Sequence, residues 1–472
     1  MMDPAGEAET ITWNCWLRTI IAGSTTLLLY SFVGMNEGTA NLLLSQMKGA
    51  TSLIHLSQDQ ETWVASLGIL SAPIAAILIG PFIDAFGRKR GVLLFYLNMG
   101  LGWAVIASAR EVTQIYIGRI ICAFGEGFQA CAVVYLTEIC TKEQRSVVLA
   151  CLIALFSGGV LFVSVVNTCL PWPMACSAFS LASFALAGAE CFVPESPAWL
   201  FSQGEEAAAV RNLQKLGRSK AGVLLEIDAL KERESCTEVL SWRTFLRPTV
   251  WKPFLILAVF HLLQFSTGFY DMIYYQVDYL ERLGTKYDPI ALSVAFSTVR
   301  FLSNATIGIY FRSLDRKFST TVSGLCMTVP LLGAGIYEFK YWDTLPLEKP
   351  FQWLLLFCIF AQLVAGNLSV TCLPWSMGAE LYPLNVRGIM SGATLCVAYS
   401  IFFTYVKLYH VAMGALKMYG LLFVFAASSF LAALFGIFIL PETRGKSLSE
   451  IERGFEAKAR KVDQQHVVDT RM

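Results

Sequence analysis

Three short sequence patterns each occur twice in this 472-residue chain, about half its length apart and in the same order. They are a charged turn, a Glu-x6-Arg pair and a Pro-Glu turn: Gly80–Arg90 and Asp315–Lys317, Glu138–Arg145 and Glu380–Arg387, Pro194–Pro197 and Pro441–Arg444. In the charged turn, we pair Asp84 with Asp315. Every copy directly follows a long apolar segment. Two homologous halves joined in the middle explain all three pairs at once, so we expect a duplicated fold.

Long apolar runs dominate the chain, which is 55% hydrophobic and only 15% charged. A helix that crosses the hydrocarbon of a bilayer needs roughly 20 apolar residues. Because backbone groups in lipid must be hydrogen-bonded within their own segment, such runs predict helices. Twelve runs qualify: 18–38, 62–82, 91–109, 113–137, 147–169, 174–193, 252–275, 289–311, 319–338, 351–376, 389–409 and 418–440. The sequence therefore predicts an all-α integral membrane protein with twelve transmembrane helices.

The distribution of Lys and Arg predicts the orientation. Most of them fall on one side of the membrane if both termini are cytoplasmic, as the positive-inside rule requires. The repeated motifs then all lie on the cytoplasmic face of a cell membrane. The expected organisation is an N-terminal segment 1–17, a first membrane half 18–193, a cytoplasmic linker 194–251 with short amphipathic helices, a second membrane half 252–440 and a cytoplasmic tail 441–472.

Several classes of function and partner are not expected. The net charge of +1 argues against nucleic acid. The cysteines lie mostly in apolar runs without CxxC pairs, which favours packing roles. The sequence holds no nucleophile–base constellation, metal-ligand cluster or phosphate loop, so we expect neither an enzyme nor a cofactor or metal. The expected partners are the lipid bilayer and a small solute, with a monomer as the functional unit.

The repeated charged motifs predict contacts at the ends of helices. Gly80 is expected to let its helix approach a neighbour closely, and Gly87 to permit a tight turn. Carboxylates and guanidiniums placed there could form a latch that makes and breaks as two halves rock, although Arg88–Arg90 could also be a simple stop-transfer cluster. The candidate latch residues are Asp84, Gly87, Arg88, Glu138, Arg145, Glu195, Asp315, Arg316, Glu380, Arg387 and Glu442.

Taken together, these motifs resemble those of sugar porters of the major facilitator superfamily, and in particular insect trehalose and hexose facilitators. The residues that carry the resemblance are Gly80-x3-Asp84-x2-Gly87-Arg88-Lys89-Arg90, Tyr135-x2-Glu138-x6-Arg145, Pro194-Glu195-Ser196-Pro197-x-Trp199-Leu200, Pro374-Trp375-x4-Glu380-x2-Pro383-x3-Arg387-Gly388 and Pro441-Glu442-Thr443-Arg444-Gly445. The resemblance implies two six-helix bundles around a central cavity, working by alternating access. Two departures, Ala198 in place of arginine and the short copy at Asp315, are expected to weaken the second-half latch.

The resemblance also implies where the solute binds. Sugar sites use amide side chains, which both donate and accept hydrogen bonds, and aromatic faces. The seventh helix keeps Gln264 and Gly268 of the family pattern but carries Phe265 and Tyr270 in place of a second Gln and an Asn. The pocket is therefore poorer in amides and richer in aromatic rings than a typical hexose site. The candidate binding residues are Asn36, Gln264, Gly268, Tyr270, Tyr274, Trp375 and Tyr399.

Five charged residues fall within predicted membrane helices: Glu37, Arg119, Glu126, Asp271 and Arg300. Arg119 and Glu126 are seven positions apart, which predicts that they share a helix face, and Gln264 and Asp271 have the same spacing. A charge in the bilayer is costly, so each should face a partner or the cavity, unless Glu37 and Asp271 lie at headgroup level. Arg119 matches a family arginine that lies near a helix 1 Asp in proton-coupled relatives, and Asn36 aligns best with that Asp. Successive helix residues point about 100° apart, so Glu37 should miss Arg119 if Asn36 faces it.

The sequence thus predicts a membrane transporter of a sugar, hexose or trehalose-like, working downhill. The additional charges and the lost amides leave open a porter of a charged or amphipathic organic solute, and a register shift at Glu37 would allow a proton-coupled symporter. A non-transporting nutrient sensor on the same scaffold is a further alternative. The sequence does not identify the solute.

Overall fold

The structure is a computed structural model that describes residues 13–48, 54–235, 242–310, 314–383 and 386–444, together with Lys446, Glu450, Ile451, Arg453 and Phe455. The described residues form α-helices, short 3-10 helices and the turns between them. The all-helical fold predicted from the apolar runs is therefore confirmed.

Eight helices make up the first part of the chain: α1 (Trp13–Met47), α2 (Gln58–Leu70), α3 (Ala72–Phe86), α4 (Arg88–Ala107), α5 (Val112–Glu126), α6 (Ala130–Ile139), α7 (Lys142–Cys169) and α8 (Trp172–Glu190). Two of them begin at capping boxes, in which Ser57 and Thr141 exchange hydrogen bonds with Gln60 and Gln144. These caps satisfy backbone N–H groups that a helix start leaves without partners.

Three short helices follow α8 in the predicted linker: α9 (Pro197–Ser202), α10 (Glu206–Lys215) and α11 (Lys220–Ser235). Their apolar faces pack together through Ala209, Leu213, Val223 and Ile227, all of which are buried. The helical spacing of apolar residues in this otherwise polar segment accounts for that small cluster.

Eight further helices complete the chain: α12 (Pro248–Ser266), α13 (Asp271–Tyr274), α14 (Gln276–Arg282), α15 (Pro289–Tyr310), α16 (Arg316–Lys340), α17 (Gln352–Leu368), α18 (Leu373–Leu381) and α19 (Arg387–Phe438). Within the described residues, ten helical spans are long and apolar enough to cross a membrane, and some of them, such as Gln58–Phe86, consist of two consecutive helices. One of these, α19, is 52 residues long and has a non-helical backbone at Lys417, with φ 56° and ψ 176°.

Two of the predicted apolar runs are broken where the candidate site lies. The run 252–275 is divided between α12 and α13 at Gly268, whose φ is +71°. A Cβ at Gly268 would lie 2.2 Å from the ring of Phe425, so both the conformation and the space require glycine. The run 351–376 is divided at 369–372, just before Pro374 and Trp375. These breaks place side chains from helix ends in the middle of the bundle.

Helices from the two halves of the sequence pack against each other: α7 against α15, and α2 and α3 against α19. The end of the bundle that carries Glu138, Glu195, Glu380 and Glu442 is called the motif end below, and the opposite end the distal end. Gly80 has open space where a Cβ would lie, so the close helix approach predicted there is wrong.

Candidate functional site

A polar cluster joins α1 and α5 in the middle of the first half. The side-chain amide of Asn36 donates a 2.8 Å hydrogen bond to Glu126, and Arg119 donates to both oxygens of Asn36 at 3.0 Å. Arg119 also donates to the carbonyl of Val64 at 3.1 Å and is fully buried. The seven-residue spacing of Arg119 and Glu126 places both on the face of α5 that meets Asn36.

Glu37 points away from this cluster, as the 100° helical step predicts. Its carboxylate lies 3.5 Å from the guanidinium of Arg300 on α15, and both residues are only 3% exposed. The guanidinium carbon lies 5.3 Å from the ring centre of Phe156 and 5.7 Å from that of Phe269. Glu37 and Arg300 therefore form a buried ion pair between the two halves of the chain.

The predicted pocket residues of α12 and α18 meet at the phenol of Tyr270. Trp375 donates to the Tyr270 hydroxyl at 3.0 Å, and Gln264 donates to the same hydroxyl at 3.2 Å. Gln264 also donates to the carbonyl of Thr371 at 2.6 Å, and its own oxygen lies 3.0 Å from Nδ1 of His261. The amide of Gln264 is thus held by protein groups in this conformation.

Aromatic rings fill the space next to that hydrogen-bond network. Phe265 stacks on Phe402 with ring centres 4.8 Å apart and planes 11° from parallel, while Tyr274 meets Phe402 edge-on at 5.2 Å. Tyr399 lies 5.7 Å from Trp375 and accepts a hydrogen bond from Gln129. The structure therefore brings together Gln264, Tyr270, Tyr274, Trp375 and Tyr399.

Asp271 does not share a helix face with Gln264, because the break at Gly268 lies between them and interrupts the helical spacing. It is 4% exposed, and its Oδ1 has no hydrogen-bond partner among the described residues. The structure thus places Asp271 inside the bundle and not at its surface.

At the motif end, Arg88 connects three segments of the first half. Its Nη2 lies 3.0 Å from Glu138, its Nη1 lies 3.3 Å from Asp84, and its backbone N–H donates to Glu195 at 3.1 Å. A Cβ at Gly87 would lie 2.3 Å from the Glu195 carboxylate, and Gly87 has φ +95°. Glycine is therefore required there, as the sequence predicted.

The second half repeats these contacts. Arg316 lies 2.9 Å from Glu380, and its backbone N–H donates to Glu442 at 3.1 Å. In this register Asp315 corresponds to Gly87, so our pairing of Asp315 with Asp84 in the sequence is corrected. Asp315 instead pairs with Arg444 at 2.8 Å. The short copy thus keeps the ion pair between Arg316 and Glu380, and it keeps a glutamate, Glu442, that accepts hydrogen bonds from backbone N–H groups.

Burial raises the pKa of Glu195 above its ordinary value, against the backbone N–H groups of Ser196, Lys89 and Arg88, which lower it. Burial also acts to raise the pKa of Glu442, but the N–H groups of Arg444, Lys317 and Arg316 prevail and lower it. The two copies therefore match in geometry and differ in electrostatics.

The two arginines of the Glu-x6-Arg pairs act on backbone carbonyls. Arg145 donates to Thr137 at 2.8 Å, and Arg387 lies 3.4 Å from the carbonyl of Tyr382. The ion pairs Arg88–Glu138, Arg316–Glu380 and Arg444–Asp315 each join segments of the same half.

At the distal end, by contrast, ion pairs join the two halves. Lys407 of α19 lies 3.0 Å from Asp59 of α2. Lys48, at the end of α1, pairs with Asp278 of α14. The distal end is therefore closed in this conformation.

Sequence reasoning missed several residues of the pocket. His261 is one turn before Gln264, so helical spacing could have indicated it. Phe402 stands one turn after Tyr399 in the same way. Gln129 and Thr371 carry no such signal, because their contacts join segments that are far apart in the sequence.

The sequence is similar to those of known proteins over most of its length. The family model described as "Sugar (and other) transporter" matches residues 18–455. A facilitated trehalose transporter, Tret1, of Apis mellifera ligustica is 27% identical over 430 residues, covering 90% of this chain and 85% of that protein. The Bos taurus solute carrier family 2, facilitated glucose transporter member 8, is 27% identical over 437 residues, covering 88% and 89%.

Solved structures share the fold. The inward-open conformation of the xylose transporter XylE from E. coli matches with a TM-score of 0.72 at 17% identity, covering 93% of this chain and 99% of that one. The proton:xylose symporter XylE bound to 6-bromo-6-deoxy-D-glucose matches with a TM-score of 0.70 at 18% identity, covering 93% and 99%. The fold is that of the major facilitator superfamily, and by the family match over residues 18–455 the chain belongs to the sugar (and other) transporter family.

Proposed function

We propose that this protein carries a neutral sugar, a hexose or a trehalose-like disaccharide, downhill across a cell membrane by alternating access. Two six-helix bundles would rock about the pocket formed by Gln264, Tyr270 and Trp375. The motif end would face the cytoplasm, with both termini on that side. A monomer would be the functional unit.

The helix count supports this arrangement. Ten spans are long and apolar enough by themselves. The 52-residue α19 would measure about 78 Å if straight, at 1.5 Å per residue, which is enough for two crossings that meet at Lys417. The 22-residue α15 supplies one more crossing. With these two additions the count reaches twelve.

The contact between Arg119 and Asn36 carries the proposal of downhill transport. An amide cannot release a proton at physiological pH, so the helix 1 partner of this arginine cannot couple transport to a proton gradient. Glu37, the neighbouring acid, contacts Arg300 instead. The similarity to proteins named as facilitated trehalose and glucose transporters points the same way.

One observation favours a second candidate, proton-coupled symport. Glu126 accepts a hydrogen bond from Asn36, which in turn accepts from Arg119. The carboxylate of Glu126 is therefore linked to Arg119 through one intervening side chain, that of Asn36. The similar solved structure described as a proton:xylose symporter is consistent with this candidate.

Uptake of labelled glucose and trehalose into vesicles that hold the purified protein tests the proposal. Downhill transport predicts that the internal sugar concentration reaches the external one and stops, with or without an inward proton gradient. Accumulation above that level, abolished by a protonophore and by Glu126→Gln, would establish symport. Absence of sugar uptake under every condition would remove the proposed function.

A further inference from the structure

The amide of the pocket already makes hydrogen bonds with protein groups, so other residues are needed to bind the sugar. Gln264 is fully buried, and its nitrogen donates to Thr371 and Tyr270. A sugar needs partners that both donate to and accept from its hydroxyl groups. The buried pair of Glu37 and Arg300 offers one strong acceptor and one strong donor close to the aromatic rings.

The depth of the pair suits a central binding site. Glu37 lies ten residues before the end of α1, and Arg300 eleven residues after the start of α15. At 1.5 Å per residue, both lie about 15–16 Å below the distal end. This is the middle of a hydrocarbon layer about 30 Å thick.

The pair is incompletely satisfied. Arg300 and Glu37 are separated by 3.5 Å, a long contact for ionised partners. Among the described residues, Glu37 is the hydrogen-bond acceptor found for Arg300, and the buried Nε of Arg300 finds none. A guanidinium carries five N–H donors, and buried donors normally have partners. Arg300 therefore has N–H donors to spare where α1 and α15 meet.

We propose that Glu37 and Arg300 are the principal hydrogen-bonding residues for the transported sugar, which inserts adjacent hydroxyl groups between them. Each hydroxyl can donate to the carboxylate and accept from the guanidinium. The rings of Phe156 and Phe269, beside Arg300, offer apolar surface to the C–H face of the sugar. This inference rests on the proposed function and specifies its substrate class.

The charges of the pair define that class. The pair is neutral overall. An anion attracted by Arg300 is repelled by Glu37, and a cation attracted by Glu37 is repelled by Arg300, so a neutral polyol is the solute that can bind both residues without a repulsion. The two residues also come from opposite halves of the chain. A sugar bound between them connects the halves, which links solute binding to closure of the pocket.

Competition by deoxy sugars tests the assignment hydroxyl by hydroxyl. For the parent in vesicles, removing the hydroxyl that meets the pair should weaken inhibition of labelled sugar uptake about tenfold to hundredfold. Glu37→Gln and Arg300→Gln should bind the complete sugar less tightly. These variants should also bind the complete sugar and that one deoxy analogue equally well. For analogues that lack other hydroxyl groups, the affinity relative to the complete sugar should be the same as in the parent.

Two further variants complete the design. Glu37→Gln/Arg300→Gln leaves no lone charge in the membrane, so it decides the question if a single variant fails to fold. Glu338→Gln is the matched control, because Glu338 is fully buried and pairs with Lys349 at 3.2 Å within the second half. In this variant, the affinity of every analogue relative to that of the complete sugar should be the same as in the parent.

The outcomes separate the two proposals. If the parent carries sugars and the pair variants keep its ratios for every deoxy analogue, the pair does not touch the sugar and this inference is overturned, while the proposed function stands. If the parent carries no sugar, both are overturned.

Discussion

Arg119 donates from a single nitrogen, Nη1, to the backbone and side-chain oxygens of Asn36, each at 3.0 Å. The same asparagine donates to Glu126. One neutral side chain therefore separates a buried cation from a buried carboxylate and satisfies both. This arrangement makes Asn36 a structural residue as well as the group that stands where a coupling acid would be needed.

We expect Asn36→Ala to lower the free energy of unfolding by about 3 kcal/mol, because it removes the side-chain oxygen that accepts from Arg119 and the amide that donates to Glu126. Thermal unfolding of the purified protein in detergent measures the loss. Asn98→Ala is the control, because the carbonyl of Leu94, in the same helix, is the acceptor that the structure shows for the amide of Asn98 among the described residues. Equal losses in the two variants would contradict the bridging role of Asn36.

The sequence predicted this cluster in part. The residue types and the seven-residue spacing placed Arg119 and Glu126 on one face, and the helical step turned Glu37 away from Arg119. The partner of Glu37 could not be predicted, because Arg300 is 263 residues away and the contact depends on how the halves dock. The two helix breaks were indicated only indirectly, by Gly268 and Pro374.

The sequence predicted the duplication of the motifs better than the alignment of their two copies. Conserved spacing within the chain correctly paired Glu138 with Glu380, both of which contact an arginine of the charged turn. The charged turn was misaligned by three residues, because Asp315 and Asp84 are both aspartates but do not occupy equivalent positions in the two halves. Backbone contacts to Glu195 and Glu442 define the true register, and a sequence does not display backbone contacts.

Gln264 is expected to stabilise the break before α18 as well as the pocket. Gln264→Ala removes the donor to Thr371 and Tyr270 and should lower the free energy of unfolding by about 1–3 kcal/mol, with a weaker affinity for the solute. Gln362→Ala is a matched control, because Gln362 is also fully buried and its amide has no partner among the described residues. A Gln362 variant as unstable as the Gln264 variant would mean that volume, and not hydrogen bonding, sets the loss.

Both motif-end networks should contribute to the conformational equilibrium. Arg88→Gln and Arg316→Gln each break an arginine–glutamate pair in matching places, and each should shift the balance between inward-open and outward-open states by about 1–3 kcal/mol. Accessibility of introduced cysteines from the two sides of the membrane reports the shift. Arg110→Gln, at an exposed turn, should have no effect. Unchanged accessibility in both network variants would exclude a latch.

Glu195 and Glu442 should give opposite pH dependences of stability. The raised pKa of Glu195 means that its contribution is fully present below its unfolded pKa, near 4.5, and is lost as the pH rises through the folded value. The lowered pKa of Glu442 means that its contribution is present above about 4.5 and is lost as the pH falls through the folded value.

Thermal unfolding over a pH series checks these signs. Relative to the parent, Glu195→Gln should gain stability as the pH rises above about 4.5, because it removes a carboxylate whose ionisation is unfavourable in the folded state. Glu442→Gln should be less stable than the parent at neutral pH, and the difference should shrink in acid. The same sign of pH dependence in both variants would show that the two networks do not differ in the way described.

The distal end should open more readily when its ion pairs are removed. Lys407 lies 3.0 Å from Asp59, donates to Thr62 at 2.6 Å and stands 4.0 Å from the ring centre of Trp63, all across the contact between the halves. These contacts exist only while the distal end is closed, so each one favours that state. Lys407→Gln should therefore shift the equilibrium toward the distal-open state by about 1–2 kcal/mol.

Labelling of a cysteine placed in the distal cleft measures this shift. Lys231→Gln is the control, because Lys231 makes a comparable ion pair with Glu206, at 3.0 Å, between two linker helices and away from the cleft. High salt should increase labelling of the parent and leave the Lys407 variant nearly unchanged, since Asp59 is largely exposed and its attraction to Lys407 is screened. If Lys407→Gln labels at the parent rate at low salt, the Lys407–Asp59 pair does not hold the distal end closed. The Lys48–Asp278 pair and the packing of α19 against α2 would then be the remaining causes.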